Sequence, residues 1–335
     1  MARIPPGALI ALLFALLIAC SGDETPPQTL IPTVQIEAAA TAVATQALPA
    51  QPLPSPTIAA TSPPATATAT PAGSLQFRPG QLAQGGMAVV YLNEAASSAT
   101  VRFQERQYPM LHDGARWWAI IGVGALVQPG LHPISVIYTP SGRDTSTSIV
   151  QSIAVTDRDF PVEQITLDPQ TAALLAPDIV QAELAQRAAI YSGFTAQRLW
   201  SGAFVAPGRG VLSGHFGEGR SYNGGPVTDY HRGTDFIGDI GAPVVAAARG
   251  RVVFTGELRV RGNAIMLDHG AGVFSAYHHL SSIDVTEGQL VNAGDRIGAV
   301  GSTGLVTGPH LHWEVIVRGI EVDGELWLAG QEIGP

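Results

Sequence analysis

The sequence predicts a mainly β protein, with two β domains in series joined by a short helical connector. Three observations predict it. From about Ser74 to Leu167, short alternating runs recur between turn dipeptides. From Gly241 to Gly304, a second set of short apolar runs is punctuated by glycine. Between the two sets, Asp168-Pro169 opens a stretch with helical signals.

The chain begins with a different kind of segment. Arg3 is followed by an apolar run from Gly7 to Ala19. That run is too short to span a bilayer comfortably and suits a signal-peptide core, so residues 1–20 are expected to direct export. The run ends in Leu17-Ile18-Ala19-Cys20, which resembles a bacterial lipoprotein lipobox. The resemblance implies cleavage before Cys20, lipidation of its thiol, and anchoring to the outer face of a bacterial membrane. Each buried acyl CH₂ contributes roughly 0.8 kcal/mol, so a multiply acylated terminus would hold stably. Cys20 is the chain's one cysteine, so no intramolecular disulfide forms. Residues 21–73 are rich in Thr, Pro and Ala, and only Asp23, Glu24 and Glu37 carry charge. This composition reads as a disordered tether reaching on the order of 150 Å when extended.

In the first β region (74–167), Ala99-Thr-Val-Arg-Phe-Gln104, Ile134-Ser-Val-Ile-Tyr138 and Ser148 to Val155 alternate, and Trp117 to Gly122 reads as a buried central strand. Asp113-Gly114, Pro129-Gly130 and Ser141-Gly142 mark turns. The pattern suggests a β-sandwich, which resembles the immunoglobulin-like module preceding some bacterial cell-wall peptidases. His112 and His132 are isolated and read as surface or turn residues. In the connector (168–200), Asp168 is the expected N-cap with Pro169 at the first helical position. Pro177 is expected to break the helix, which resumes from Ile179 to Ile190.

Composition narrows the function. The net charge is −9, and nucleic acid binding needs clustered cations, so no nucleic-acid partner is expected. All 18 basic residues are Arg. The absence of Lys excludes Schiff-base chemistry, a P-loop, and the lipoyl or biotinyl carriers that glycine-punctuated β domains otherwise bring to mind.

Seven of the nine histidines lie after position 200, in the last region (201–335). His310-Leu311-His312 precedes the β-branched and aromatic tail Trp313-Glu314-Val315-Ile316-Val317, so it reads as a strand that turns both histidines to one face. His231 and Asp235 are four apart, a spacing that shares a face on a helix or a strand; Gly233, Thr234 and Phe236-Ile237 favour strand. Imidazole nitrogen and carboxylate oxygen are zinc ligands, and a catalytic zinc takes three protein ligands plus water.

Four motifs occur in order: Ser213-Gly-His-Phe-Gly217, His231-x-x-x-Asp235, Tyr277-His-His-Leu280, and Gly301-Ser-Thr-Gly304 followed by Gly308-Pro-His-Leu-His312. Together they resemble the lysostaphin/LytM-type zinc endopeptidases of bacterial cell walls, from about Leu212 to Glu321. The resemblance implies an antiparallel-β, lysostaphin-like (barrel-sandwich hybrid) peptidase domain and one Zn²⁺ per chain held by His231, Asp235 and His312. It implies His279 and His310 as catalytic, non-ligand residues and peptidoglycan peptides as substrate; a monomer is expected. Which of the two histidines is the general base stays open, as does the bond cut. Phe216-Gly-Glu-Gly-Arg220 departs from the family pattern by one extra residue before Arg, which bears on substrate preference. His278 is one residue from His279 and is expected on the opposite strand face. His269 reads as structural, and His215 is expected near the cleft without a catalytic role. The loop 301–308 is expected on the rim of a groove. A second reading is a non-catalytic activator of another wall hydrolase. Relatives of that kind typically lose the ligands present here.

Overall fold

The computed structural model describes residues 74–328 and 333–334. The expected signal sequence, Cys20 and the expected tether lie outside the described residues.

The first β region forms two sheets. One has four strands in the order Leu75–Arg78, Met87–Leu92, Trp117–Gly122, Leu111–His112. The other has five, in the order Gln81–Ala83, Thr147–Thr156, Gly130–Pro140, Ala96–Phe103, Arg106–Pro109. Trp117–Gly122 is interior to its sheet and almost wholly buried, as its unbroken apolar run requires. Residues of both sheets, among them Val90, Trp118, Ile120, Val101, Phe103 and Ile153, belong to one hydrophobic core. That core continues without a break into the last region through Val315, Val317 and Val322.

Asp168 caps the short helix Pro169–Ala172 by accepting from Gln170 N–H and Thr171 N–H. The helical stretch breaks at Ala176, just before Pro177 as expected, and resumes as the helix Pro177–Tyr191, two residues earlier than expected. A further sheet carries the chemistry. Its main path runs Leu212–Gly214, Thr234–Ile237, His310–Val317, Val273–Ile283, Gly262–Gly270, Gly250–Leu258, Leu290–Val291. His310–Val317 is interior, with Thr234–Ile237 on one side and Val273–Ile283 on the other. Ile320–Val322 also pairs with it.

Candidate metal centre and active site

The register of that interior strand builds the site. Asp235 lies directly across from His312 on one neighbouring strand, and His278 lies across from it on the other. Directly opposed antiparallel residues bring their Cβ atoms within about 5.5 Å. His231 is not on a strand. The Thr234–Ile237 strand begins three residues later, so the strand expectation holds for Asp235 and fails for His231. A bend through Arg232 and Gly233 returns the His231 ring over Asp235 instead. Gly214 makes room beneath: a Cβ there would lie 2.9 Å from Asp235 Oδ2 and 3.1 Å from His231 Cε1.

Three donor atoms converge. His231 Nε2 is 3.0 Å from Asp235 Oδ1 and 2.9 Å from His312 Nδ1, and His312 Nδ1 is 2.8 Å from Asp235 Oδ1. The opposite ring nitrogens fix the tautomers. His231 Nδ1 is 2.9 Å from the His215 carbonyl, which can only accept, so the proton is on Nδ1 and Nε2 is bare. His312 Nε2 is 3.0 Å from the Glu314 carboxylate, so its proton lies there and Nδ1 is bare. Burial pushes the His231 ring down to about 4, which keeps it neutral at neutral pH. Two bare imidazole nitrogens and a carboxylate oxygen therefore face one another with no proton between them. Buried acceptors with no donor cost roughly 1–3 kcal/mol each. A cation at their centre removes that cost. Two nitrogens and one oxygen suit Zn²⁺, whose tetrahedral ligands stand roughly 3.3 Å apart, a few tenths of an ångström wider than here.

Glu314 completes this centre, and it was not among the expected site residues. It shares a strand face with His310 and His312, four and two residues away, which was the available signal. Its side chain is fully buried. Burial would raise its carboxyl, but the Arg187 and Arg261 guanidiniums outweigh burial and hold it well below the usual carboxylate range. The carboxylate that orients His312 is thus ionised, the arrangement that fixes a metal-binding imidazole.

His279 and His310 stand beside the three donors. Their ring centroids are 4.9 Å apart, and His310 Nε2 is 3.8 Å from Asp235 Oδ2. His279 Nδ1 donates to the Thr303 carbonyl at 2.7 Å, and His310 Nδ1 to the Gly308 carbonyl at 2.8 Å. Each ring therefore offers a bare Nε2. Burial, with His310, His312 and His278 adding to it, holds the His279 ring well below the ordinary imidazole range. The 301–308 loop thus sets both tautomers through backbone atoms, a role no side-chain pattern reveals. Gly304 and Gly262 seat it: Gly304 has φ +78, and a Cβ there would lie 2.5 Å from Gly262 N.

His278 corrects an expectation. Strand alternation should have turned it away from His279 and the site. Instead its ring lies beside that of His312, tilted by 31° with centroids 5.6 Å apart, and its Nε2 is 3.7 Å from Glu314 Oε2. The reason is His279, whose φ of +61 breaks the alternation and swings both rings to the same side. His215 points its ring outward to Glu325 and serves the site through its carbonyl. His112 and His132 are remote from these groups: His112 packs on Trp117 and His132 Nε2 donates to the Gln128 carbonyl.

The site opens into a cleft of about 470 Å³. Its lining includes the polar Glu163, Arg220 and Tyr222 and the apolar Ile165, Ile237, Leu305, Val306 and Pro309. The strand Val162–Ile165, which contributes Glu163, pairs in parallel with Gly219–Tyr222. Arg220, the residue after the extra position, pairs with Glu163 and reaches within 4.0 Å of Asp235 Oδ2.

Residues 229–324 match the pattern of peptidase family M23. This part of the chain is a peptidase family M23 domain. The M23 domain is 50% identical over 93 residues to the peptidoglycan DD-endopeptidase ShyA of Vibrio cholerae, a match covering 28% of this chain and 22% of ShyA. The chain therefore spans about a fifth of the length of that curated relative. A lipoprotein NlpD/LppB homolog of Pseudomonas aeruginosa is 37% identical over 123 residues, 36% of this chain and 38% of the relative. A crystal structure assigned to peptidase M23, also from Pseudomonas aeruginosa, is similar with a TM-score of 0.56 and 29% identity. It covers 74% of this chain and 95% of its own, so the likeness takes in more than the M23 domain. Zinc is the metal of this family, in keeping with the donor set.

Proposed function

We propose that this chain is a zinc endopeptidase that hydrolyses peptide bonds in peptidoglycan, with His231, Asp235 and His312 holding the metal and His279 and His310 as the catalytic pair. One observation carries the reading: three proton-free donors converge at the floor of a cleft, beside two imidazoles whose Nδ1 protons are tied to backbone carbonyls. Zinc, when bound, polarises a scissile carbonyl and lowers the pKa of water towards ~7. The chain's own groups handle the protons. Each bare Nε2 can accept one, so one ring serves the attacking water as base. The other, once protonated, donates to the leaving amine or steadies the developing oxyanion. Glu314 keeps His312 oriented throughout. The cleft lining offers an extended peptide both apolar and polar contacts.

Similarity to a DD-endopeptidase supports a peptide cross-link as the bond cut. The Cys20 lipobox supports a lipid-anchored protein on the outer face of a bacterial membrane, with 21–73 as its tether and the β-sandwich between tether and enzyme. Among the described residues no helix is long and apolar enough to cross a membrane. The NlpD/LppB likeness supports a second reading, a wall-bound activator of another hydrolase. The intact donor set weighs against it.

The test is mass spectrometry of purified peptidoglycan after incubation with the protein, with and without a zinc chelator and with His310→Ala. New amino termini that vanish in both controls are expected, and they name the bond. Zinc bound one per chain with no product from several wall types would favour the activator.

A further inference from the structure

The helix Pro177–Tyr191 lies outside the M23 match, yet it reaches the centre of the site. Its fully buried residues are Glu183, Arg187 and Tyr191, four apart on one face. A helix docked for stability alone would turn its aliphatic residues inward. Here Ile179, Val180, Leu184 and Ile190 are only half-buried. Glu183 accepts the Val260 N–H at 2.6 Å and the Arg261 N–H at 3.4 Å. Arg187 pairs with Glu314 Oε2, and Arg261 Nε donates to Glu314 Oε1 at 3.1 Å. Arg187 also lies 3.5 Å from Glu321. Both members of the Arg187–Glu314 pair are almost fully buried. Desolvating such a pair costs about as much as the attraction returns, so stability does not account for it. Its other consequence does. Glu314 Oε1 receives the His312 Nε2 proton, while Arg187 holds Oε2.

From this chain of contacts we infer that Arg187 is a positioning residue of the metal centre: it holds Glu314 so that the carboxylate keeps the His312 Nδ1 lone pair aimed at the metal. The connector helix is thereby part of the zinc site. The inference rests on the reading of His312 as a zinc ligand.

The experiment is a double-mutant cycle on the whole protein, read by zinc affinity in competition with a chromophoric chelator and by the visible d–d spectrum of the Co²⁺ form. Arg187→Met is expected to weaken zinc about tenfold, at the lower end of the 10–100-fold typical of outer-shell changes, and to alter the Co²⁺ bands. In a Glu314→Gln background the same substitution is expected to change zinc affinity less than twofold, because the group it acts through is gone. Arg158→Met breaks another ion pair with a buried partner, Asp323, and is expected to lower stability while leaving zinc affinity unchanged. Wild-type zinc affinity in Arg187→Met, or an equal loss in both backgrounds, overturns the inference. Should Arg187→Met fail to fold, Arg187→Lys is put through the same cycle and read by the same criteria. His312→Ala separates the two claims. If it retains zinc, the ligand reading fails. If it loses zinc while Arg187→Met does not, only the role of Arg187 fails.

Discussion

The last region has two buried histidine environments, and only that of His231 and His312 brings three possible metal-ligand atoms together. His269 is fully buried, and burial pushes its ring down to about 4, as it does for His231. Around His269, however, every nitrogen has a partner of the opposite kind. Nδ1 donates to the Arg249 carbonyl at 2.9 Å, and Nε2 is 2.7 Å from the Ser275 hydroxyl, which can give it a proton. The Tyr277 hydroxyl then accepts from Ala247 N–H at 2.8 Å and ends the chain. Around His231 and His312 the bare nitrogens meet each other and a carboxylate. Burial and a depressed pKa are common to His269 and His231. Unmatched lone pairs are what separate a metal centre from a structural histidine.

The sharpest way to break this comparison is to remove one ring from each cluster. His312→Ala is expected to abolish zinc binding by equilibrium dialysis and lower activity by more than about 10³-fold, since a catalytic zinc needs its three protein ligands. His269→Ala is expected to keep one zinc per chain and to lose about 2–4 kcal/mol in urea unfolding, through a cavity and stranded hydrogen-bond partners. Zinc loss in His269→Ala, or zinc retention in His312→Ala, would erase the distinction.

Within the functional cluster, ligand and proton carrier separate next. His279→Ala and His310→Ala are each expected to retain zinc while kcat/KM falls about 10²–10⁴-fold, the usual worth of a general acid or base. Loss of metal in either would move that residue into the ligand set.

Metal removal sharpens the comparison on the stability scale. At free zinc 100-fold above Kd, binding adds about 2.7 kcal/mol to the folded state. A chelator should therefore lower the thermal midpoint of the native protein and of His269→Ala, and leave His312→Ala unmoved.

The pH response of the zinc-free protein is smaller. His269 titrates at about 4 and His278 at about 3 when folded, against roughly 6.5 when unfolded. Between these values the unfolded chain binds more protons, so stability rises with pH. It is complete above about 6.5 and is lost as pH falls towards 4. Urea midpoints at pH 7, 5.5 and 4.5 should decline in that order, and His269→Asn should flatten the decline. A level profile would mean that these rings are charged in the fold. Smallest of all is the rim. Glu163→Ala frees Arg220 at the edge of the cleft and should change KM by less than about fivefold, as the ~0–1 kcal/mol of a partly exposed ion pair allows.

Much of this was legible in the residues. Strand alternation put His310 and His312 on one face, the turn dipeptides bounded the strands, and Asp168-Pro169 marked the connector. What escaped had long-range or backbone causes. Glu314 was visible as an acid in the right alternation, but nothing local said that two arginines, one of them 127 positions away, would ionise it. His278 was misplaced because period two assumes extended backbone, and His279 is left-handed. The carbonyls of His215, Thr303 and Gly308 fix three tautomers and carry no side-chain signature at all.

By itself, then, the sequence determined the kinds of chemistry open to this protein: its ligand types, its mainly β character, and the absence of any lysine mechanism. These follow from composition, period and local propensity, which act over a few residues. Only the tertiary structure decided which nitrogen of each ring is bare. A tautomer is set by the partner on the ring's far side, and that partner is delivered by register and loop closure across the whole fold.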